Sequence, residues 1–429
     1  MTIIVEPDRN ETPARRGQVV NRALLTIVPL LFSYAIQPAQ AQTFTVLYDF
    51  TDGKDGGIPA ATLVRDQAGN LYGTTAQGGA INYHNCNPPQ GCGTIFKVGT
   101  GGKETVLYDF KDNPDAAYPS AGLVEDEAGN FYGTTLLGGT SNSGAVFKLD
   151  KSGKETVLYS FTGGRDGGNP LAGVILDAAG NLYGTTEIGG DLSCQVGQMT
   201  GCGVVFKLAK TGKLTVLHRF HGNDGADPFA GLVRDESGNL YGTTTAGSTG
   251  CYDGCGTVFK LDKAGKETVL HVFTDGKDGA VPMWGALILD DLGNLYGTTQ
   301  WGGDLSCGNG VGCGTVFKMD KTGKETVLYN FMDGKDGGLP DGALVRDAAG
   351  NLYGTASVGG DLPCNGGGGC GTVFKLDKAG KLTVLYDFED KSDGAFPEGG
   401  LVQDASGKLY GTTSWDGHVN FGCVFKLTP

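Results

Sequence analysis

Apolar and polar residues alternate along short stretches of this chain, and those stretches recur in a fixed order. One copy runs from Pro340 to Phe388. It opens on an apolar run at 343–345, followed by the turn Asp347-Ala-Ala-Gly350 and Asn351-Leu-Tyr-Gly-Thr355. A Gly- and Cys-rich loop then leads to Gly371-Thr-Val-Phe-Lys-Leu376, the turn Asp377-Lys-Ala-Gly380 and Leu382-Thr-Val-Leu-Tyr-Asp-Phe388. Val, Thr, Tyr and Phe suit a pleated, half-buried surface, and Asp-x-x-Gly between two such runs signals a hairpin. The Asp side chain bonds the turn backbone, and the Gly accepts the positive φ that closes it. The pattern predicts four strands per copy: A at 344–347, B at 352–355, C at 372–376 and D at 383–388. Beyond residue 41 no stretch keeps a 3.6-residue apolar period over a useful length, so no substantial helix is expected.

The Tyr of strand B recurs at Tyr72, Tyr132, Tyr183, Tyr241, Tyr296, Tyr353 and Tyr410, at intervals of 51 to 60 residues. Seven copies of a four-strand unit at this period make a propeller pattern. Small residues open strand A, as in Ala121-Gly122, Ala172-Gly173 and Gly399-Gly400, which fits strands crowded around an axis. The repeats begin on a D strand at 43–50 with no C before it, and finish on a C strand at 424–427 with no D after it. In an open stack both would be lone edges, prone to aggregation; in a ring they pair. The expected fold is all-β: a seven-bladed β-propeller over 42–429, four antiparallel strands per blade, closed by the N-terminal strand completing the last blade.

Residues 1–41 read as a signal peptide. Arg9, Arg15, Arg16 and Arg22 precede an apolar stretch at 23–36, and Ala39-Gln-Ala41 offers a small-residue cleavage site. The stretch is too short to span a bilayer and is broken by Pro29. The formal net charge of −14 becomes about one unit more negative once that leader is removed. Such a chain is repelled by phosphate backbones and anionic lipid, which argues against nucleic-acid and membrane-surface partners.

Ten of the eleven cysteines fall into close pairs, one in each of five B–C loops: Cys86/Cys92, Cys194/Cys202, Cys251/Cys255, Cys307/Cys313 and Cys364/Cys370. Behind an export signal these read as local disulfides, and five His in no recurring spacing with them argue against a metal. Cys423, left over, replaces the Thr of Gly-Thr-Val-Phe and reads as a buried small residue. Residence is expected to be exported: periplasmic, cell-surface or extracellular, as a monomer.

Antiparallel blades put the short, constant A–B and C–D turns on one face and the variable B–C and D–A loops on the other. Ligand sites concentrate on variable loops held by a rigid scaffold. Each D–A loop carries an Asp (Asp55, Asp115, Asp166, Asp224, Asp278, Asp336 and Asp393), either a turn former or, less simply, a calcium ligand. The departures from the repeat are Trp284, Trp301 and Trp415, with Tyr83, His84, Tyr118, Phe229, Tyr252 and Phe396 in the same loop classes. Of these, Trp284, Trp301, Trp415, Tyr118 and Phe396 are the candidate ligand contacts. Aromatics of this kind either stack on sugars and peptide side chains or plug gaps between loops. His218 and His271 replace the strand-D Tyr and read as packing substitutions. An acid–base role falls only to His221 beside Asp224, or to His418. No nucleophile motif, phosphate loop, metal signature or other cofactor signal is present.

The phrases Asp-x-x-Gly-Asn-Leu-Tyr-Gly-Thr-Thr and Gly-Thr-Val-Phe-Lys-Leu, followed by Thr-Val-Leu-Tyr-x-Phe, resemble the GloVer tandem repeat over nearly all of 43–428. That family comprises exported bacterial repeat proteins with varied C-terminal anchors. The A–B unit is also similar to the propeller repeats of two-component regulator sensors. The resemblance implies a propeller at or beyond the cell surface and brings no catalytic residues with it. Three functions stay open: a non-catalytic binder of extracellular glycan or protein, a carbohydrate-active hydrolase or lyase, and a structural surface or matrix protein.

Overall fold

The computed structural model describes residues 42–79, 86, 91–111, 113–247, 254–274, 276–360, 364–389, 392–415 and 421–429. Residues 1–41, expected as a signal peptide, and Tyr83, His84, Cys251, Tyr252 and His418 lie outside the described residues. Contacts gather Ala41–Pro429 into one unit.

Seven four-stranded antiparallel sheets form the seven blades of a β-propeller, with no α-helix among the described residues. Blade one holds strand A at Val64–Arg65, B at Leu71–Thr75, C at Thr94–Val98 and D at Glu104–Asp109. Blades two to six repeat this order. Blade seven takes A, B and C from Val402–Gln403, Leu409–Thr413 and Cys423–Thr428, and its D strand is Thr43–Asp49 from the other end of the sequence. Val46 pairs with Phe425 across that closure.

Each constant residue of the repeat has a structural partner. The Phe that ends strand D of one blade meets the strand-C Phe of the next edge-on. Phe110 and Phe147 lie 5.2 Å apart, Phe388 and Phe425 5.5 Å. Phe50 and Phe96 make the same contact at 4.9 Å where blade seven meets blade one, so the closing junction is built like the rest. These rings are fully buried. The strand-C Phe also explains the Gly of Tyr-Gly-Thr: a Cβ on Gly73 would stand 2.6 Å from Phe96 Cζ.

The Tyr72 hydroxyl donates to the turn carboxylate of Asp66 at 3.0 Å. The hydroxyl of Thr74 donates to the Ala121 carbonyl of the next blade at 2.9 Å, and Thr412 does the same to Ala61 across the closure. Thr75 shares a hydrogen bond with Thr94 of strand C. In every C–D pair the register shifts at the Leu of Thr-Val-Leu-Tyr, as at Leu107 between the Ile95–Tyr108 and Phe96–Val106 pairs. A bulge there re-aims the following Tyr, whose hydroxyl reaches the D–A loop: Tyr108 donates to Asp115 at 2.8 Å.

Strand A is shorter than the pattern predicts: Val345–Arg346 in blade six, against an expected 344–347. The residues before it have left the ladder because their carbonyls serve the neighbouring blade, as Gly399 does for Thr355.

Candidate functional site at the axial mouth

The D–A loop of each blade runs from an outer strand to the innermost strand of the next. It meets the B–C loops through isolated antiparallel bridges such as Gly57 with Gln77 and Ala280 with Trp301. Both loop classes therefore share one face.

Immediately before its Pro, each of these straps holds a non-glycine residue in the left-handed region, at φ 51° to 59°: Ile58, Tyr118, Asn169, Asp227, Val281, Leu339 and Phe396. Such a conformation costs free energy and persists where the surroundings enforce it. Here two backbone hydrogen bonds do so. The Leu339 N–H donates to the Cys313 carbonyl of the preceding blade at 2.9 Å, and the Leu339 carbonyl accepts from Ser357 N–H at 3.1 Å. The Cys carbonyl is anchored in turn by a local disulfide. Cys86–Cys92, Cys194–Cys202, Cys307–Cys313 and Cys364–Cys370 are bonded with Cα atoms 5.1–5.7 Å apart, and Cys255 is disulfide-bonded too. The thiol of Cys423 is free and buried, and burial pushes it up to about 12.

A strap fixed this way projects the residue after its Pro toward the axis. That position is occupied by Ala60, Ser120, Leu171, Phe229, Asp341 and Glu398; blade five carries one extra residue, Met283, and presents Trp284. All but Asp341 line an axial cavity of about 390 Å³, whose remaining wall is mostly the small residues that open strand A. The ring falls into sectors. Blades four and five supply aromatics, Phe229 and Trp284 meeting edge-on at 5.4 Å. Blades six and seven supply acids. Asp341 accepts from Gln300 Nε2 at 3.0 Å and Ser357 Oγ at 2.8 Å. Burial, with a smaller push from the Glu398 charge, raises its carboxyl to about 7 despite those bonds. Burial also raises Glu398. No Lys, Arg or His lines the cavity among the described residues.

The sequence candidates scatter over this face. Trp284 is 41 % exposed and forms part of the cavity wall. Trp301 and Trp415 are also exposed, but they stand on the strap bridges, paired with Ala280 and Ala395. Tyr118 and Phe396 occupy the left-handed strap position and pack against buried clusters at the blade junctions. Asp341 and Glu398 were not singled out by sequence.

The recurring loop Asp is a turn acceptor: Asp55 receives the Tyr48 hydroxyl at 3.0 Å and the Thr51 N–H at 2.9 Å. His218 and His271 stand in for Tyr, their Nε2 atoms 2.9 and 3.3 Å from Asp224 and Asp278. Asp224 also accepts the His221 N–H at 2.8 Å, while the exposed His221 ring lies 3.8 Å from Asp224 and 4.0 Å from Asp191. Among the described residues the side chains crowded closely enough to ligate an ion are Cys307, Cys313 and Asp333, and those two sulfurs are already joined.

A family model described as the Gloeobacter/Verrucomicrobia repeat matches residues 30–196, 89–312, 192–368 and 308–429. A search of curated protein sequences finds no match. Among solved structures, a fungal alcohol oxidase in complex with copper is similar at TM-score 0.51 and 14 % identity, over 90 % of this chain and 76 % of that one. A Xanthomonas campestris gluconolactonase gives 0.42 and 15 %, over 73 % and 85 %. PorZ, a surface component of the type-IX secretion system of Porphyromonas gingivalis, gives 0.48 and 14 %, over 86 % and 46 %. At these identities the likeness is one of fold.

Proposed function

The chain belongs to the Gloeobacter/Verrucomicrobia repeat family, and on that premise we propose that it is an exported, non-catalytic binding protein that takes an extracellular glycan at its axial mouth. The observation that carries this reading is the broken symmetry of the strap ring: an exposed indole, braced edge-on by Phe229, looks into a cavity whose wall also bears the Glu398 carboxyl. Indole faces stack on the apolar faces of sugars, and a few convergent polar groups then fix orientation. Disulfides in the B–C loops favour an oxidising compartment, in keeping with the leader pattern at 1–41. No helix among the described residues is long and apolar enough to cross a membrane. Trp301 and Trp415 add exposed indoles on the strap bridges of the same face.

The test is a glycan array probed with the chain lacking residues 1–41. Trp284→Ala is expected to abolish binding, and Trp301→Ala or Trp415→Ala to weaken it, with melting temperatures unchanged. Full binding by all three variants would remove the assignment. A second reading, hydrolysis of a polysaccharide, draws on the exposed His221 ring between Asp191 and Asp224. Turnover of a polysaccharide panel that is lost in His221→Ala would favour it, although Asp224 already serves His218.

A further inference from the structure

Resting on that binding reading, we propose that the axial mouth selects glycans carrying a free amine, a hexosamine unit whose ammonium group sits against Glu398 and whose ring stacks on Trp284. The two halves of the ring differ in what they can recognise. Blades four and five offer π surface, which attracts the C–H face of a pyranose and also a nearby cation. Blade seven offers the Glu398 carboxyl in the cavity wall, and the buried Asp341 lies on the adjacent strap of blade six. A neutral hydroxyl would be served equally well by an amide at the Glu398 position. A single partly buried carboxyl in a wall with no Lys or Arg among the described residues is matched by a cationic group, which offsets its desolvation.

Asp341 is buried and fixed by Gln300 and Ser357 outside the cavity wall, so it takes no direct part in the contact. Glu398 lines the cavity itself and is the group placed to make the contact. The shape favours a sugar over a lysine side chain. A cavity of about 390 Å³ with one flat indole admits a six-membered ring, whereas a slender alkylammonium is held best by several aromatic faces around it.

Calorimetric titration of the chain lacking residues 1–41 with four probes decides the matter: a β-1,4 glucosamine tetramer, its fully N-acetylated counterpart, cellotetraose and tetralysine. The glucosamine tetramer is expected to bind about tenfold more tightly than the other two sugars, the scale of one charged hydrogen bond. Glu398→Gln, near-isosteric and expected to leave the melting temperature unchanged, should erase that preference, while Trp284→Ala weakens all three sugars together. Equal affinity for the three sugars would overturn the amine inference and leave glycan binding standing. Binding of tetralysine without any sugar would overturn both, as would no binding by any probe.

Discussion

Two positions in every blade behave in opposite ways. Gly73 is Gly in all seven copies, because a side chain there would strike the strand-C Phe at 2.6–2.7 Å every time. Ala60, the residue after the strap Pro, becomes Ser120, Leu171, Phe229, Asp341 and Glu398 around the ring, and blade five, one residue longer, presents Trp284 after Met283. The first position faces another part of the protein, so its chemistry is dictated seven times over. The second lines the axial cavity in every blade but six, where Asp341 turns to Gln300 and Ser357, so packing constrains it little and its chemistry varies from blade to blade. Constancy thus marks the scaffold, and variation marks the surface on which a ligand would act.

The widest gap between the two classes should appear in stability. Phe374→Ala removes a fully buried ring that packs on Phe331 across a blade junction, and is expected to cost about 3–5 kcal/mol. Gly354→Ala, which overpacks the same ring, should cost about 1–3 kcal/mol. Phe229→Ala at the axial mouth removes as large a side chain from a half-buried site, and should cost no more than about 1 kcal/mol. Urea unfolding checks all three. Equal losses for Phe374→Ala and Phe229→Ala would mean that the strap ring is itself structural.

A second comparison sets pinned straps against unpinned ones. Phe396 N–H bonds to the carbonyl of disulfide-bonded Cys370, whereas Asn169 N–H reaches Ser143, in a blade whose short B–C loop has no Cys. Replacing Cys364 and Cys370 by Ser together should cost about 2 kcal/mol, the chain-entropy value for so short a loop. Hydrogen exchange should then quicken at Phe396 N–H and not at Asn169 N–H. Equal acceleration at both would show that the disulfide acts on the whole ring and not on its own strap.

These contrasts also explain what could be read in advance. The circular closure was legible because the lone D strand at the start and the lone C strand at the end need each other, and Thr43–Asp49 does pair with Cys423–Thr428. The repeat phrases were legible because each of their residues has a fixed partner. Trp284 stood out as a rare residue. Asp341 and Glu398 did not, since every D–A loop already offers a carboxylate and sequence alone does not separate a turn acceptor such as Asp336 from a carboxyl at the axis. One signal was available: the residue after the strap Pro varies in chemistry while its neighbours stay constant. The shortness of strand A could not be foreseen, because it depends on carbonyls turning to the neighbouring blade.

The smallest expected effect lies at the head of strand D, where blades again divide. Blades one, two, four and five place Glu104, Glu155, Glu267 and Glu325 there; blades three and six place Leu214 and Leu382. Each of these Glu side chains keeps one buried oxygen without a hydrogen-bond partner among the described residues. Burial, then the charge of the Asp in the preceding D–A loop, pushes Glu104, Glu155 and Glu325 up to about 7. A carboxyl raised in the folded state binds its proton more tightly there than in the unfolded chain. Its contribution to stability is therefore present below the ordinary Glu range and lost as pH rises toward 7. The melting temperature should fall by roughly a few degrees between pH 5 and pH 8. Changing all three to Leu, as blades three and six already do, should flatten that slope. A wild-type melting temperature that rises over the same interval would mean these carboxylates are solvated, and that the outer strands meet more loosely than the inner ones.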